Sequence, residues 1–176
     1  FGFTGTLDGS KTHKWVLEGL FGECEQVTKT DDLIKDGYLS KFRIKVLLCK
    51  HAPQHFESYH DEMEYLVEHK GRNNLIKNLV NDLDGNTLVL FNYVEKHGTP
   101  LYELINNIIN PERKLFFVHG GTEVEDREEV RQITETESNA IIVASYGTFS
   151  TGINIKRLHN IVFASPSKSR IRNLQS

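Results

Sequence analysis

The chain has 176 residues, of which 38% are hydrophobic and 26% are charged, and its formal net charge is −3. This length suits one domain with room for part of a second, and about 70% of the surface of such an unfolded chain can be buried in a core. The negative charge argues against a protein that coats nucleic acid by bulk electrostatics, and no apolar run approaches the roughly 20 residues that cross a bilayer.

The first third of the chain has weakly marked elements. Residues 3–7 (FTGTL) read as a strand that runs into a small, hydroxyl-bearing turn, and residues 11–20 read as a helix. Asp31 is placed to begin a short helix that Gly37 ends. Residues 42–49 (FRIKVLLC) alternate and then become apolar, which predicts a strand.

The rest of the chain alternates clearly between strands and helices. Residues 72–82 and the apolar face of residues 101–109 predict amphipathic helices, and a charged helix is predicted over residues 123–137. The predicted strands are residues 87–93, 114–119, 140–145 and 159–164, followed by a last helix from about residue 168. Alternation of this kind predicts βαβ units and a parallel α/β sheet. A unit boundary is predicted between about residues 37 and 42.

The segment from Ser145 to Asn154 is the first candidate ligand-binding loop. It follows a buried strand and is rich in Gly, Ser and Thr, as are loops that present N–H groups and hydroxyls at the carboxyl edge of a parallel sheet. Gly147 and Gly152 are spaced as in a phosphate-binding loop, but the residues that follow are not Lys and Ser/Thr, so this is not a Walker A loop. The alternative is a solvated turn that needs glycine for its dihedral angles.

Other polar residues have two interpretations each. Thr4 and Thr6 form either a second ligand loop or an ordinary strand end. Lys168, Arg170 and Arg172 put cations at a predicted helix start, where the helix dipole opposes them unless an anion is bound, and the alternative is a solvated face.

The spacing of the histidines and cysteines does not indicate a metal site. His51, His55 and His60 lack a ligand-type spacing with a carboxylate, so no metal site is predicted. Cys24 and Cys49 show neither metal-type spacing nor a disulfide framework, which favours a reducing, cytoplasmic compartment.

Five segments in order resemble the motifs of superfamily 2 helicases. Residues 3–7 are similar to motif III and residues 88–93 to motif IV, and residues 117–120 (FVHG) resemble the strand that follows motif IV. Residues 144–154, ending in TGIN, resemble motif V, and residues 173–176 (NLQS) resemble the opening of motif VI. Each match is short, and the resemblance depends on the five segments occurring in the same order as the motifs of that family.

The resemblance implies a RecA-like fold of P-loop NTPase type, with helices on both faces of a parallel sheet. Residues 1–40 would end the first RecA-like domain and its linker, and residues 41–176 would form most of the second. The parent protein would be an ATP-dependent DNA helicase or translocase that acts on forks, junctions and R-loops, with sequence-independent contacts to DNA or an RNA–DNA hybrid and none to membranes. Motifs I and II, which hold ATP and Mg²⁺, would precede residue 1, so this piece alone would not hydrolyse ATP.

The resemblance also assigns roles to residues of this chain. Thr4, Gly5 and Thr6 would couple the ATP state to the interdomain cleft, and Gln175 would lie on the γ-phosphate side. The residues expected to face the nucleotide or the DNA backbone are Ser145, Thr148, Thr151, Gly152 and Asn154. The candidate DNA contacts are Lys168, Arg170 and Arg172.

Two other classes of function stay open at this point. A non-motor enzyme on a doubly wound sheet would use the same loop at residues 145–154, but it would need its own acid or base there, and none is convincingly placed. A non-catalytic RecA-like module that binds nucleic acid or protein would keep the fold without turnover.

Overall fold

The computed structural model describes residues 11–149 and 155–166, and these form two compact units, Phe1–Pro53 and Gln54–Ser176. The assignment of residues 1–40 to a first RecA-like domain and of residues 41–176 to a second stays a prediction. Within the described ranges, no helix is both long enough and apolar enough to pass through a bilayer.

The first unit contains two short helices, α1 (Lys11–Phe21) and α2 (Thr30–Lys35). Both agree with the predicted positions. Gly37 lies just beyond α2 with φ of +80°, a conformation that glycine adopts without a steric penalty. Tyr38 and Leu39 then donate their N–H groups back to the carbonyl of Leu33, which closes the helix end.

The predicted strand at residues 42–49 is wrong. These residues are assigned to neither a strand nor a helix, and the side chains of Ile44, Val46 and Leu48 are 77%, 77% and 84% exposed. A strand needs a second strand to accept and donate its backbone hydrogen bonds, and no described residue pairs with this segment. The alternation of residue types contained no information on a pairing partner.

The second unit is a parallel α/β sheet with helices on both faces, as predicted. Its strands are β1 (Thr87–Phe91), β2 (Leu115–Val118), β3 (Ile141–Ser145) and β4 (Asn160–Phe163), and its helices are α3 (Tyr59–Glu68), α4 (Lys70–Asp82), α5 (Thr99–Asn106), α6 (Val124–Thr136) and α7 (Tyr146–Phe149). The strand order is β2-β3-β1-β4 and every described pairing is parallel. The fold class predicted from the alternation of elements is therefore confirmed.

Central strand β1 separates two apolar clusters because its side chains alternate between the two faces of the sheet. Val89 and Phe91 pack on one face with residues of α4 and α5. Leu88 and Leu90 pack on the other face with α7, and Val130 of α6 packs against that cluster. All five residues of β1 are buried, which explains why the strand reads as a continuous apolar run.

Helix α3 has no counterpart among the predicted elements, although its start is marked in the sequence. The Ser58 hydroxyl accepts a hydrogen bond from the backbone N–H of Asp61 at 3.2 Å, and the Asp61 carboxylate accepts one from the backbone N–H of Ser58 at 3.1 Å. This reciprocal pair is a capping box. The Ser-x-x-Asp spacing was the available signal, and the neighbouring histidines obscured it because they are typical of exposed linkers.

The amino edge of the sheet is organised by the buried side chain of Asn86. Its amide nitrogen Nδ2 lies 2.9 to 3.0 Å from the carbonyls of Thr134, Glu137 and Arg157, which share its two hydrogens. Its oxygen Oδ1 accepts from the N–H of Ala140 at 2.8 Å. One amide thus satisfies backbone groups from the end of α6 and from the segments before β3 and β4.

Candidate functional site

The carboxyl ends of the four strands meet at one edge of the sheet because all pairings are parallel. Four polar residues lie at these ends: Asn92 after β1, His119 after β2, Ser145 at the end of β3 and Ser165 after β4. Open α/β sheets bind their ligands at this edge. It is therefore the candidate functional site, and two groups of side chains organise it.

The first group lies where β3 ends. The Ser145 and Thr148 hydroxyls form a hydrogen bond with each other, and Thr148 is only 8% exposed. One hydroxyl donates to the other, so the pair retains one further hydroxyl hydrogen with which to bind a phosphate or ribose oxygen. Two of the predicted ligand-facing residues are thus brought together.

The segment after β3 begins as the helical turn α7, whereas a loop was predicted from Ser145 onward. Tyr146 and Phe149 are buried in the cluster beneath α7, and their burial draws the chain into a turn over the sheet edge. Gly147 lies in this helical turn, and among the described residues nothing comes within 4 Å of the Cβ atom that another residue would add there. The alternative that this loop needs glycine for its dihedral angles is therefore wrong at Gly147.

The second group lies where β4 ends and centres on the buried His97. The His97 ring nitrogen Nδ1 lies 2.8 Å from the Ser165 hydroxyl, and Nε2 lies 3.2 Å from the Asn73 side-chain oxygen. The Asn73 amide nitrogen donates to the Val67 carbonyl at 2.8 Å. The Ser165 hydroxyl accepts from the backbone N–H of Asn92 at 2.9 Å.

These contacts determine the protonation of the His97 ring. A carbonyl oxygen only accepts hydrogen bonds, so Nε2 must carry the hydrogen that faces Asn73. Burial disfavours a second proton on the ring, so the ring is neutral and Nδ1 accepts from the Ser165 hydroxyl. Burial, and to a smaller extent the Arg72 cation, lower the pKa of His97 from 6.5 to about 4.

His97 reaches this position through an irregular turn after β1. Residues Val94–Gly98 form a π-helical turn, which is a rare structure that is often found at functional sites. Gly98 has an ordinary φ of −61°, but a Cβ atom there would overlap the Phe91 ring and lie 2.8 Å from its Cδ2. The missing side chain allows the turn to fold tightly against β1.

The turn after β2 is closed by its own hydrogen bonds. The N–H of His119 donates to the Thr122 hydroxyl at 3.0 Å, and the N–H of Gly121 donates to His119 Nδ1 at 3.1 Å. The His119 ring also packs against Phe117, with ring centroids 5.2 Å apart. The FVHG segment that resembles a helicase motif is therefore a strand end with a rigid turn at the same sheet edge.

The remaining predicted site residues lie outside the described ranges. These are Thr4, Gly5, Thr6, Thr151, Gly152, Asn154, Lys168, Arg170, Arg172 and Gln175. In the described part of the chain, no three His, Cys, Asp or Glu side chains are grouped closely enough to hold a metal ion.

Sequence reasoning missed the second group entirely. Asn73, His97 and Ser165 are far apart in the chain, and each sits in a locally polar stretch that reads as exposed. The one local signal was Ser165-Pro166 at the end of a predicted strand, where hydroxyls at a parallel carboxyl edge merit attention.

The sheet order, the two covered faces and the polar carboxyl edge define the class of protein as a RecA-like α/β fold. The chain is 33% identical over 185 aligned residues to the ATP-dependent DNA helicase uvsW of Enterobacteria phage T4, which covers 100% of this chain and 36% of that helicase. It also resembles the crystal structure of T4 UvsW with a TM-score of 0.59 and 34% identity, over 68% of this chain and 24% of that one.

These comparisons confirm the resemblance inferred from the order of the motifs and specify it as a resemblance to the phage helicase UvsW. No protein-family model matches the chain. The chain spans about a third of the length of the helicase that it matches.

Proposed function

We propose that this chain is part of an ATP-dependent DNA helicase or translocase that unwinds or remodels branched DNA such as forks, junctions and R-loops. The observation that carries the proposal is the similarity of the whole chain, at 33% identity, to an ATP-dependent DNA helicase. The position of the β3 exit supports it, since the segment that resembles motif V begins at the carboxyl edge of the sheet. Recombination, repair and replication are the processes in which such an activity would serve.

In this proposal ATP and Mg²⁺ bind in a cleft between two RecA-like domains and are held mainly by parts of the protein outside this chain. Thr4, Gly5 and Thr6 would couple the ATP state to the cleft, and Gln175 would lie on the γ-phosphate side. Closure on ATP and opening after hydrolysis would move two DNA-gripping surfaces past each other. This chain alone would be inactive, and the protein would work in the cytoplasm, or in the host cytoplasm if it is phage-encoded.

The DNA contacts in this proposal go to the backbone and are independent of sequence. The hydroxyl pair of Ser145 and Thr148, with Thr151, Gly152 and Asn154 after it, would face the nucleotide or the DNA backbone. Lys168, Arg170 and Arg172 are the proposed cationic contacts. Because the net charge is −3, binding would depend on such local groups, and an RNA–DNA hybrid presents the same backbone charge.

The test is ATP hydrolysis by the full-length protein that contains this chain, with and without forked DNA. We expect strong stimulation by DNA, and Gly152→Pro should abolish it. Ser145→Ala removes one hydroxyl of the pair and should lower the DNA-stimulated rate about tenfold, which corresponds to about 1.4 kcal/mol.

Ser138→Ala is the matched control, because it removes an exposed hydroxyl near the opposite, amino end of the same strand. If Ser145→Ala and Ser138→Ala behave alike, the β3 exit does not take part in turnover. If the full-length protein hydrolyses no ATP with any nucleic acid, the motor proposal fails and a non-catalytic RecA-like binding module remains.

A further inference from the structure

Lys96 is the one lysine or arginine among the described residues that follow the four strand ends within five positions. It lies in the π-helical turn after β1, at the edge of the sheet that forms the candidate functional site. The backbone of this turn is fixed, because the buried residues His97 and Gly98 both donate their N–H groups to the Tyr93 carbonyl, at 3.1 and 2.8 Å. The Lys96 side chain is 50% exposed, so a fixed turn presents its ammonium group to solvent.

The Lys96 ammonium group is paired with a carboxylate of α3. It donates a hydrogen bond to Glu64, whose side chain is 37% exposed. This hydrogen bond and the charge of Glu64 raise the pKa of Lys96, and the charge of Glu68, one helical turn further along α3, raises it too. The same hydrogen bond and the charge of Lys96 lower the pKa of Glu64. Both groups are therefore ionised at neutral pH.

The Glu64 carboxylate indicates the kind of ligand that this ammonium group accepts. An ammonium group is a compact charge with three donors, and it binds carboxylate and phosphate oxygens alike. Ion pairs that are open to water contribute little free energy, so a phosphate from outside the chain can displace the carboxylate easily. Glu64 thus competes with an external anion for Lys96.

The two elements that carry this ion pair are joined by the buried side chain of Asn73. Its amide nitrogen donates to the Val67 carbonyl at the end of α3 at 2.8 Å, and its oxygen lies 3.2 Å from Nε2 of His97 in the π-helical turn. Because α3 and the turn are held together in this way, an exchange of partners at Lys96 requires only the rotation of two exposed side chains. Glu64 stays close by and takes Lys96 back when the external anion leaves.

We propose that Lys96 binds a phosphate of the DNA backbone at the carboxyl edge of the sheet, and that Glu64 is an autoinhibitory partner that occupies the ammonium group when DNA is absent. The inference rests on the proposed function, because it takes this edge as a surface that meets DNA. A chain with a net charge of −3 must bind DNA through local cations, and Lys96 is such a cation. A contact of this kind reads no base sequence.

The experiment measures the affinity of the full-length protein for forked DNA, without nucleotide and at several salt concentrations. Lys96→Gln removes the cation, Glu64→Gln removes the competing charge, and a double variant combines both. Glu62→Gln is the matched control for Glu64, because it makes the same charge change on another face of α3. Lys70→Gln is the control for Lys96, because it removes an exposed lysine at the start of α4. Thermal unfolding of each variant ensures that folded proteins are compared.

We expect opposite effects from the two single variants. Lys96→Gln should lower the slope of log affinity against log salt by about 0.7 to 0.9, as the loss of one phosphate contact does. Glu64→Gln should raise the affinity about twofold to fivefold, the range that corresponds to an exposed ion pair. This gain should vanish in the double variant, because no ammonium group is left to be released. Both controls should leave the affinity and the slope nearly unchanged.

Three results would overturn the inference. If the gain from Glu64→Gln persists in the double variant, Glu64 acts on DNA only as a distant charge. If Lys96→Gln and Lys70→Gln have equal effects, Lys96 makes no specific contact. If Lys96→Gln raises the KM for ATP and leaves the DNA affinity unchanged, the phosphate at Lys96 belongs to the nucleotide.

These three results are compatible with ATP turnover that DNA stimulates, so they leave the proposed function standing. A full-length protein that neither binds forked DNA nor hydrolyses ATP would instead overturn the proposed function, and this inference with it.

Discussion

At the scale of single residues, Gly98 and Gly147 differ in why the position is a glycine. Both have helical backbone conformations, so neither needs the left-handed region that only glycine reaches easily. Gly98 lies against the Phe91 ring, whereas no described residue lies within 4 Å of a Cβ atom built on Gly147. Packing therefore requires glycine at Gly98, whereas no described residue requires it at Gly147.

Gly98→Ala should lower the free energy of unfolding by about 1 to 3 kcal/mol, because the added methyl group overlaps Phe91 in a packed core. Gly147→Ala should leave it unchanged or slightly higher, because alanine favours helical backbone. Chemical denaturation of the two variants side by side measures both. Equal losses would contradict the packing argument. If Gly147→Ala is stable but responds poorly to DNA, then a backbone or nucleotide approaches α7 closely.

His97 makes the stability depend on pH in a predictable direction. Its pKa is lowered from 6.5 to about 4 by burial, so the folded chain keeps the ring neutral where the unfolded chain already binds a proton. The stabilisation is complete above about pH 6.5 and is lost as the pH falls toward 4. The free energy of unfolding that is lost in this way between pH 7 and pH 4 is about 3 kcal/mol.

Urea unfolding between pH 7 and pH 4 tests this, with His97→Gln as the control. The control should lose distinctly less stability over the interval, because glutamine does not titrate. If both proteins lose stability in parallel, other groups account for the acid sensitivity.

At the scale of elements, Arg113 joins the end of α4 to the start of β2. Its guanidinium donates to the carbonyls of Val80 and Asn81 at 3.1 Å and of Leu83 at 2.9 Å. Its Nε donates to the Asn139 carbonyl at 3.1 Å, just before β3. The last carbonyls of a helix lack partners within the helix, so one side chain satisfies α4 and ties it to two strands.

Arg113→Met should lower the free energy of unfolding by about 2 kcal/mol, because the apolar stem is kept while the carbonyls lose a charged donor. Arg113→Lys should recover only part of this loss, since an ammonium group cannot span the same set of carbonyls as the planar guanidinium. Denaturant unfolding of both variants measures the difference. Full recovery by lysine would mean that the charge, and not the geometry, is what matters.

At the scale of the whole molecule, the proposed function assigns the ATP-binding parts of the motor to segments outside this chain. The 176-residue chain alone should show no ATP turnover with forked DNA, whereas the full-length protein should hydrolyse ATP. Removal of Mg²⁺ with EDTA should abolish that turnover, because the metal neutralises charge on the transferred phosphoryl group. Steady-state phosphate release measures the ATP turnover of the chain alone, of the full-length protein and of the full-length protein with EDTA. Turnover by the chain alone would contradict the assignment of the catalytic parts to other segments.

An element could be predicted from the sequence when the residues that determine it lie close together in the chain. Strands β1 to β4 and helices α4, α5 and α6 were predicted within a few residues, because each is marked by its own apolar pattern. The strand at residues 42–49 was wrong because a strand requires a partner, and α7 was missed because Tyr146 and Phe149 turn the chain only by packing into a core. Ser145 and Thr148 lie at the carboxyl edge because they directly follow the predicted strand, and their role there stays a prediction.

The sequence by itself determined the parallel α/β class, the order of elements and the place of the carboxyl edge, because these depend on residue types that are close together in the chain. The tertiary structure alone decided the strand order β2-β3-β1-β4 and the hydrogen bonds that join Asn73, His97 and Ser165. These depend on contacts between residues far apart in the chain, such as His97 and Ser165, which are 68 positions apart. His97 and Ser165 are polar residue types that are seldom fully buried, and only the close approach of their partners made burial favourable.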